Sequence, residues 1–194
     1  MLHIRGFDPG GLGKAVVVDL GGGNGHISVP IARAHPHLEA FVQVLETNAE
    51  PAKAAAPDER RNRVTFQTKN FFLPKATAYG FGPAVTNSLL VSRVQHDLPD
   101  RDCMKILKAL ILVLDNGKSK LFIVDQVLPD KPGEIFLYQE ALMRSLALLM
   151  YNMVGGKERS LGEWETLFKE ADGRWRIERV DTPVKIQTCA CWRL

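Results

Sequence analysis

Residues 15–26 of the 194-residue chain, AVVVDLGGGNGH, hold its densest group of residues suited to binding a ligand. A branched apolar run, Ala15 to Val18, leads to a carboxylate, Asp19. Gly21, Gly22, Gly23 and Gly25 follow, with Asn24 before the last. The run reads as a short buried strand, because branched residues fit a pleated core covered on both faces. The glycines read as the tight turn after it, where the backbone can approach a ligand with no Cβ in the way. His26–Ala34 then reads as a helix whose free N-terminal N–H groups face that ligand. The dinucleotide fingerprint G-x-G-x-x-G fails, since its last position falls on His26 or on Ser28.

The alternative spacing D-x-G-x-G-x-G fits in full, as Asp19, Gly21, Gly23 and Gly25. It resembles the first motif of class I S-adenosylmethionine (SAM) methyltransferases. A bare glycine turn that binds nothing is the alternative reading. Further along, the residues 40–46, AFVQVLE, read as a second strand ending in Glu46. A carboxylate there can accept hydrogen bonds from both ribose hydroxyls of a cofactor; otherwise it is a surface glutamate. In KNFFLP, Phe71 and Phe72 wall an adenine site with Asn70 on its amine, or else are plain core. His96, in QHDLPD, follows a strand read over 84–91, the end of a doubly wound sheet where ligands bind.

These groups need elements to carry them. Val64–Thr68 reads as a third strand and Leu121–Val127 as a fifth, holding Asp125. The helix Arg101–Leu114 carries an apolar stripe at Met104, Leu107, Leu110, Ile111 and Leu114 and closes near Asn116–Gly117. Residues 134–153 are apolar around most of a helix, which predicts burial on more than one side. Ser160 with Glu163 forms a capping-box pattern for a helix over Leu161–Ala171. Trp175–Val180 and Val184–Trp192 read as closing strands joined through Thr182–Pro183. Strands alternating with helices predict an α/β fold, a mostly parallel seven-stranded sheet with helices on both faces. Residues 1–14 read as a lead-in and 15–194 as one domain.

Bulk properties exclude other classes. An apolar share of 45% and a charged share of 24% are those of a globular domain. At this length about 70% of the unfolded surface can be buried, so no disulfide or metal staple is needed. The net charge of +3 is scattered, without the basic stripe a nucleic-acid protein shows. No apolar run spans a bilayer, and no signal core opens the chain. Three cysteines, an odd count, suit reduced thiols and a cytoplasmic setting. Cys189 and Cys191 lack a second ligand pair, so no metal is expected.

The ordered blocks VDLGGGNGH, RVTFQ–NFF, HDLPD, VDQVLP and GGKERS–EW resemble the catalytic domain of plant and fungal small-molecule O-methyltransferases, the caffeate and flavonoid type. The resemblance implies a Rossmann-like SAM methyltransferase fold, SAM as cofactor and a small aromatic hydroxyl substrate. It makes His96 the general base, braced by Asp125 and Glu158, which by themselves read as a strand-end residue and a solvated charge. A histidine near pKa 6.5 suits a phenol near 10.

Four positions depart from the family pattern. Val44 stands where the ribose-binding carboxylate belongs, Asn70 replaces an acidic residue, Leu98 a tryptophan, and Ser92 a basic residue, with Arg93 one step out of register. Losing a charged hydrogen bond costs about 1.5–3 kcal/mol, which weakens cofactor binding rather than removing it. The family's N-terminal helical domain, which dimerises and closes the pocket, has no counterpart here, so the chain is a fragment or a reduced form. A reduced form should expose apolar surface, on 134–153 above all, and association with itself or a partner is expected. The rival readings are a non-catalytic scaffold subunit and an enzyme that runs another reaction with SAM bound.

Overall fold

The computed structural model describes residues 15–54, 63–73, 86–114, 119–184 and 187–193. Five parallel strands form the centre of a sheet: β1 (Ala15–Leu20), β2 (Leu38–Val44), β3 (Val64–Thr68), β4 (Thr86–Ser92) and β5 (Lys120–Asp125). Two two-residue strands, β6 (Val127–Leu128) and β7 (Arg159–Ser160), pair in parallel away from it. The closing strands β8 (Arg176–Val184) and β9 (Gln187–Arg193) are antiparallel, and the seven-stranded order is β3-β2-β1-β4-β5-β9-β8. The expected class, a mostly parallel seven-stranded sheet, is what forms.

β1 is buried over its whole length because it sits mid-sheet with both faces covered. Alternate residues divide between two cores. Val16, Val18 and Leu20 join the core under α3 (Asp100–Leu114) and α5 (Leu161–Ala171), whereas Ala15 and Val17 face the core that Ile31 of α1 (Ser28–Ala34) covers. A short α2 (Ala49–Ala54) packs Ala49 and Ala52 on Val42 and Val44. In α3, Cys103, Ile106, Leu107, Leu110 and Leu114 are buried, a helical stripe against the sheet. α5 starts at the capping box read from sequence: the Ser160 hydroxyl accepts from Glu163 N–H, and the Glu163 carboxylate accepts from Ser160 N–H at 3.0 Å.

Several expectations need correction. The first helix begins at Ser28 rather than His26, after a turn held by Gly25 N–H to Gly22 C=O at 2.9 Å. β2 ends at Val44, and Glu46 opens a one-turn 3-10 helix beyond it, exposed. Thr182 and Pro183 do not join two strands: β8 runs through them with an irregular register. Proline is tolerated there because β8 is an edge strand. The expected helix stop at Asn116–Gly117 and the lead-in 1–14 lie outside the described residues.

The long apolar helix departs most. α4 (Leu137–Val154) buries only Glu140 and Met143. Leu137 and Tyr138 are 82% and 81% exposed, and every exposed large hydrophobic except Leu73 among the described residues lies between Phe136 and Val154. Burial on several sides is therefore wrong for these residues, while the expected exposure of apolar surface on this segment is found. Periodicity reports which side chains favour burial, not what covers them. Gly155 ends α4 in a left-handed conformation, as the glycine pair suggested.

Candidate active site

The strand order reverses direction between β1 and β4, so the crevice at their C-terminal ends is the natural ligand position. The glycine turn lies on the β1 side. Gly21, Gly23 and Gly25 have φ of 70°, 54° and 76°. Gly21 fits only without a side chain, since a Cβ would lie 2.5 Å from Val94 Cγ2. A Cβ on Gly22 would overlap the Asp19 carboxylate, whereas one on Gly23 meets nothing within 4 Å. The turn therefore packs tightly on its inner side and is open at Gly23.

Asp19 is fully buried beneath the turn. Ser28 Oγ donates to its Oδ2 at 2.7 Å, and Oδ1 has no partner. Burial pushes the Asp19 carboxyl up to about 7, against the smaller lowering effect of Ser28. Asp125 is also pushed up by burial to about 7; His96 pulls it down and Glu158 pushes it up. Between about pH 4 and 7 the folded state thus holds protons that the unfolded chain has released. Stability falls as pH rises through that window, by up to about 1.4 kcal/mol per pH unit per group. We expect Asp19→Asn to flatten the fall in melting temperature between pH 5 and 7.5. Equal pH slopes for the two proteins would show that the Asp19 carboxyl is ionised in the fold.

On the β4 side, Arg93 breaks the strand with φ of 54°, a costly conformation for an arginine. It turns the chain so that Val94 packs against Gly21 and a one-turn 3-10 helix, Gln95–Asp97, carries His96. β5 ends beside this turn, with Ser92 paired to Val124 and Asp125 next along. The β6·β7 ladder then brings the segment before Arg159 alongside Val127, and with it Glu158. His96 Nδ1 lies 3.0 Å from Glu158 Oε1. With the proton on Nδ1, Nε2 keeps the lone pair, and Asp97 Oδ1 lies 3.3 Å from it. Burial alone would push His96 down, but the Glu158 hydrogen bond and the charges of Asp125 and Asp97 hold it above its ordinary value.

These groups line a cavity of about 160 Å³ with Arg93, Gln126, Leu146 and Met150. Roughly 150 Å³ accommodates one aromatic ring. Gln126 Nε2 donates to the Met143 carbonyl at 3.2 Å, which ties α4 to the cavity floor. Both oxygens of Asp125 and Glu158 Oε2 have no hydrogen-bond partner. Among the described residues no group of three His, Cys, Asp or Glu is placed to hold a metal.

His96, Asp125 and Glu158 are thus brought together from three separated stretches. Asp19, Gly21, Gly23 and Gly25 share one turn, and Glu46 and Asn70 lie exposed past the ends of β2 and β3. Asn70 Oδ1 accepts from Phe72 N–H at 3.2 Å. Phe71 is 3% exposed and belongs to the main core, so the half-buried Phe72 is the more accessible ring. The sequence reading missed Leu146, Met150, Gln126 and Arg159. The first two lie in the segment 134–153, which reads from sequence as a helix buried on more than one side.

This strand order and the glycine turn now have a match beyond the chain. The pattern of an O-methyltransferase domain covers residues 7–173. The chain belongs to that family. O-methyltransferase PaMT of Phomopsis amygdali is 36% identical over 181 residues, 93% of this chain and 40% of PaMT. The 6-hydroxytryprostatin B O-methyltransferase of Aspergillus fumigatus is 33% identical over 93% of this chain and 49% of its own length. The fold resembles NcsB1, an O-methyltransferase from neocarzinostatin biosynthesis solved with SAM and 2-hydroxy-5-methyl naphthoic acid. Its TM-score is 0.74 at 24% identity, over 96% of this chain and 50% of that one. The chain therefore spans less than half the length of the curated relatives it matches. No helix among the described residues is long and apolar enough to cross a membrane.

Proposed function

We propose that this chain is the methyl-transferring part of a SAM-dependent O-methyltransferase that acts on a phenolic hydroxyl of a small aromatic metabolite. The observation that carries the reading is a buried histidine, bonded through Nδ1 to Glu158, in a ring-sized cavity next to the glycine turn. The residues present fit the cofactor. The turn is open at Gly23, Asp19 keeps an orphaned oxygen beneath it, and Glu46 and Asn70 are exposed at the strand ends toward ribose and adenine, Asn70 with its Oδ1 already accepting from Phe72 N–H. When bound, SAM supplies an electrophilic methyl group on a sulfonium.

The side chains do the remainder. Glu158 fixes the imidazole with Nε2 as proton acceptor, and Nε2 takes the phenolic proton as Asp97 yields its place. The imidazolium that results is stabilised by its hydrogen bond to Glu158 and by the nearby charge of Asp125. Leu146 and Met150 wall the cavity and would orient the ring so that its oxygen faces the methyl group SAM would supply; such orientation is worth roughly 7–11 kcal/mol. Calorimetric titration with SAM and S-adenosylhomocysteine, followed by a phenol screen, tests the proposal. Micromolar binding and a methylated phenol are expected.

One observation favours a second reading. Val44 is buried where the family places its ribose carboxylate, which leaves that contact to exposed Glu46. Absence of binding of both SAM and S-adenosylhomocysteine would favour a non-catalytic partner subunit.

The exposed face of α4 supports self-association through that helix. Light scattering at micromolar concentration should find a dimer or larger; a monodisperse monomer would count against it. The unpaired, buried Cys103 supports a reducing, cytoplasmic setting, and an unchanged mass on reduction of protein isolated from cells would agree with it.

A further inference from the structure

Arg159 has no part in the scheme above, yet its side chain is fully buried. Its Nη1 donates to the Gln95 and Lys157 carbonyls, each at 2.9 Å, and its Nη2 donates to the Leu98 carbonyl at 2.9 Å. Nε donates to Asp100 Oδ1 at 2.8 Å, and the guanidinium lies 5.2 Å from the Trp164 ring centroid. Gln95 and Leu98 flank the His96 turn, and Lys157 immediately precedes Glu158. One planar cation therefore ties the backbone carrying the imidazole to the backbone carrying its carboxylate partner.

Two neighbours make the same join. Lys157 N–H donates to the His96 carbonyl at 2.9 Å, and a Cβ on Gly156 would overlap that carbonyl oxygen. The Cys103 thiol, pushed up to about 12 by burial and so protonated, faces the Gln95 carbonyl at 3.4 Å. Asp100, half exposed, closes the cluster by accepting from both Arg159 and Lys157.

We propose that Arg159 is a positioning residue: through the Gln95, Leu98 and Lys157 carbonyls it sets the distance between the His96 imidazole and the Glu158 carboxylate. The proposal rests on His96 being the proton acceptor for its bearing on catalysis. The geometric claim can be tested without turnover. Four hydrogen bonds, to three carbonyls and one carboxylate, from donors fixed in one plane are available only to arginine; lysine presents one ammonium and cannot span the three carbonyls.

The test is the titration of the His96 ring nitrogens by NMR in the full chain, with the signal assigned from His96→Gln. The charged groups near His96 are Asp97, Asp125, Glu158 and Arg159, with Arg93 across the cavity. Removal of a nearby cation raises a histidine pKa when nothing else changes. Loss of the Glu158 hydrogen bond lowers it. Positioning therefore predicts that Arg159→Met and Arg159→Lys move the His96 midpoint down toward that of Glu158→Gln. Adding Glu158→Gln to Arg159→Met should move it no further.

Asp100→Asn, at a half-exposed site, loosens the guanidinium from outside and should give a smaller shift of the same sign; loss of the Asp100 charge alone also lowers the midpoint, so the shift supports positioning only if it disappears in a Glu158→Gln background, and a shift that persists there counts against it. It carries the test if the Arg159 variants do not fold. An upward shift, no shift in a folded variant, or full additivity with Glu158→Gln would overturn the proposal. The base assignment fails by a different result, unchanged turnover in His96→Ala, so the two failures are distinguishable.

Discussion

His96→Ala lowers turnover of a phenol of ordinary acidity by about 10²–10⁴-fold, while SAM binds as tightly as in the parent chain. A phenol near pKa 10 is almost wholly protonated at pH 7, and its oxygen must lose that proton to become a strong nucleophile. In the proposed mechanism His96 Nε2 is the acceptor, and the glycine turn, the proposed cofactor cradle, contributes no group to it. The loss shrinks for phenols acidic enough to ionise in solution, because they arrive without the proton. The pH profile gives a second check. His96 must be neutral to act, and its pKa is held above the ordinary value. The rate constant kcat/KM should therefore rise with pH through a midpoint above 6.5, and Glu158→Gln should move that midpoint down. Unchanged turnover in His96→Ala, with an ordinary phenol, would remove the histidine from the mechanism.

Gly21→Ala is expected to cost about 2–5 kcal/mol. The φ of 70° charges an alanine roughly 1–2 kcal/mol, and the Cβ would stand 2.5 Å from Val94 Cγ2, an overpacking worth about 1–3 kcal/mol. In a domain of this size each kcal/mol shifts the melting temperature by about 2–4 °C, so a fall of roughly 5–20 °C is expected. Gly23→Ala is the control. It shares the left-handed backbone, with φ of 54°, but a Cβ there meets nothing within 4 Å. It should lose the smaller, backbone part of the stability and still weaken SAM binding. Equal melting temperatures for the two variants would show that the Gly21–Val94 contact does not join β1 to β4. Because Val94 precedes the His96 turn, Gly21→Ala should also impair any turnover that remains.

Much of the fold was legible because it rests on short-range signals. The buried run 15–20, the glycines at 21, 23 and 25, the α3 stripe and the Ser160–Glu163 capping box are each decided within a dozen residues. The family pattern placed His96, Asp125 and Glu158 in one list, but only as a resemblance. Phe71 and Glu46 were harder. A phenylalanine in a turn reads alike whether it walls a ligand or fills a core, and two residues of strand end decide whether a glutamate leaves the sheet.

The sequence by itself determined a glycine-turn α/β domain with a histidine at a strand end, because alternation, helical period and turn chemistry are local. Only the tertiary structure decided what surrounds that histidine. The two-residue β6·β7 ladder brings Glu158 to His96 across 62 positions, and Arg159 leaves the solvent to bind the backbone on both sides. It also decided that α4 keeps its apolar face exposed. Contacts this distant in sequence depend on how whole strands pair, and no local pattern of side chains records that pairing.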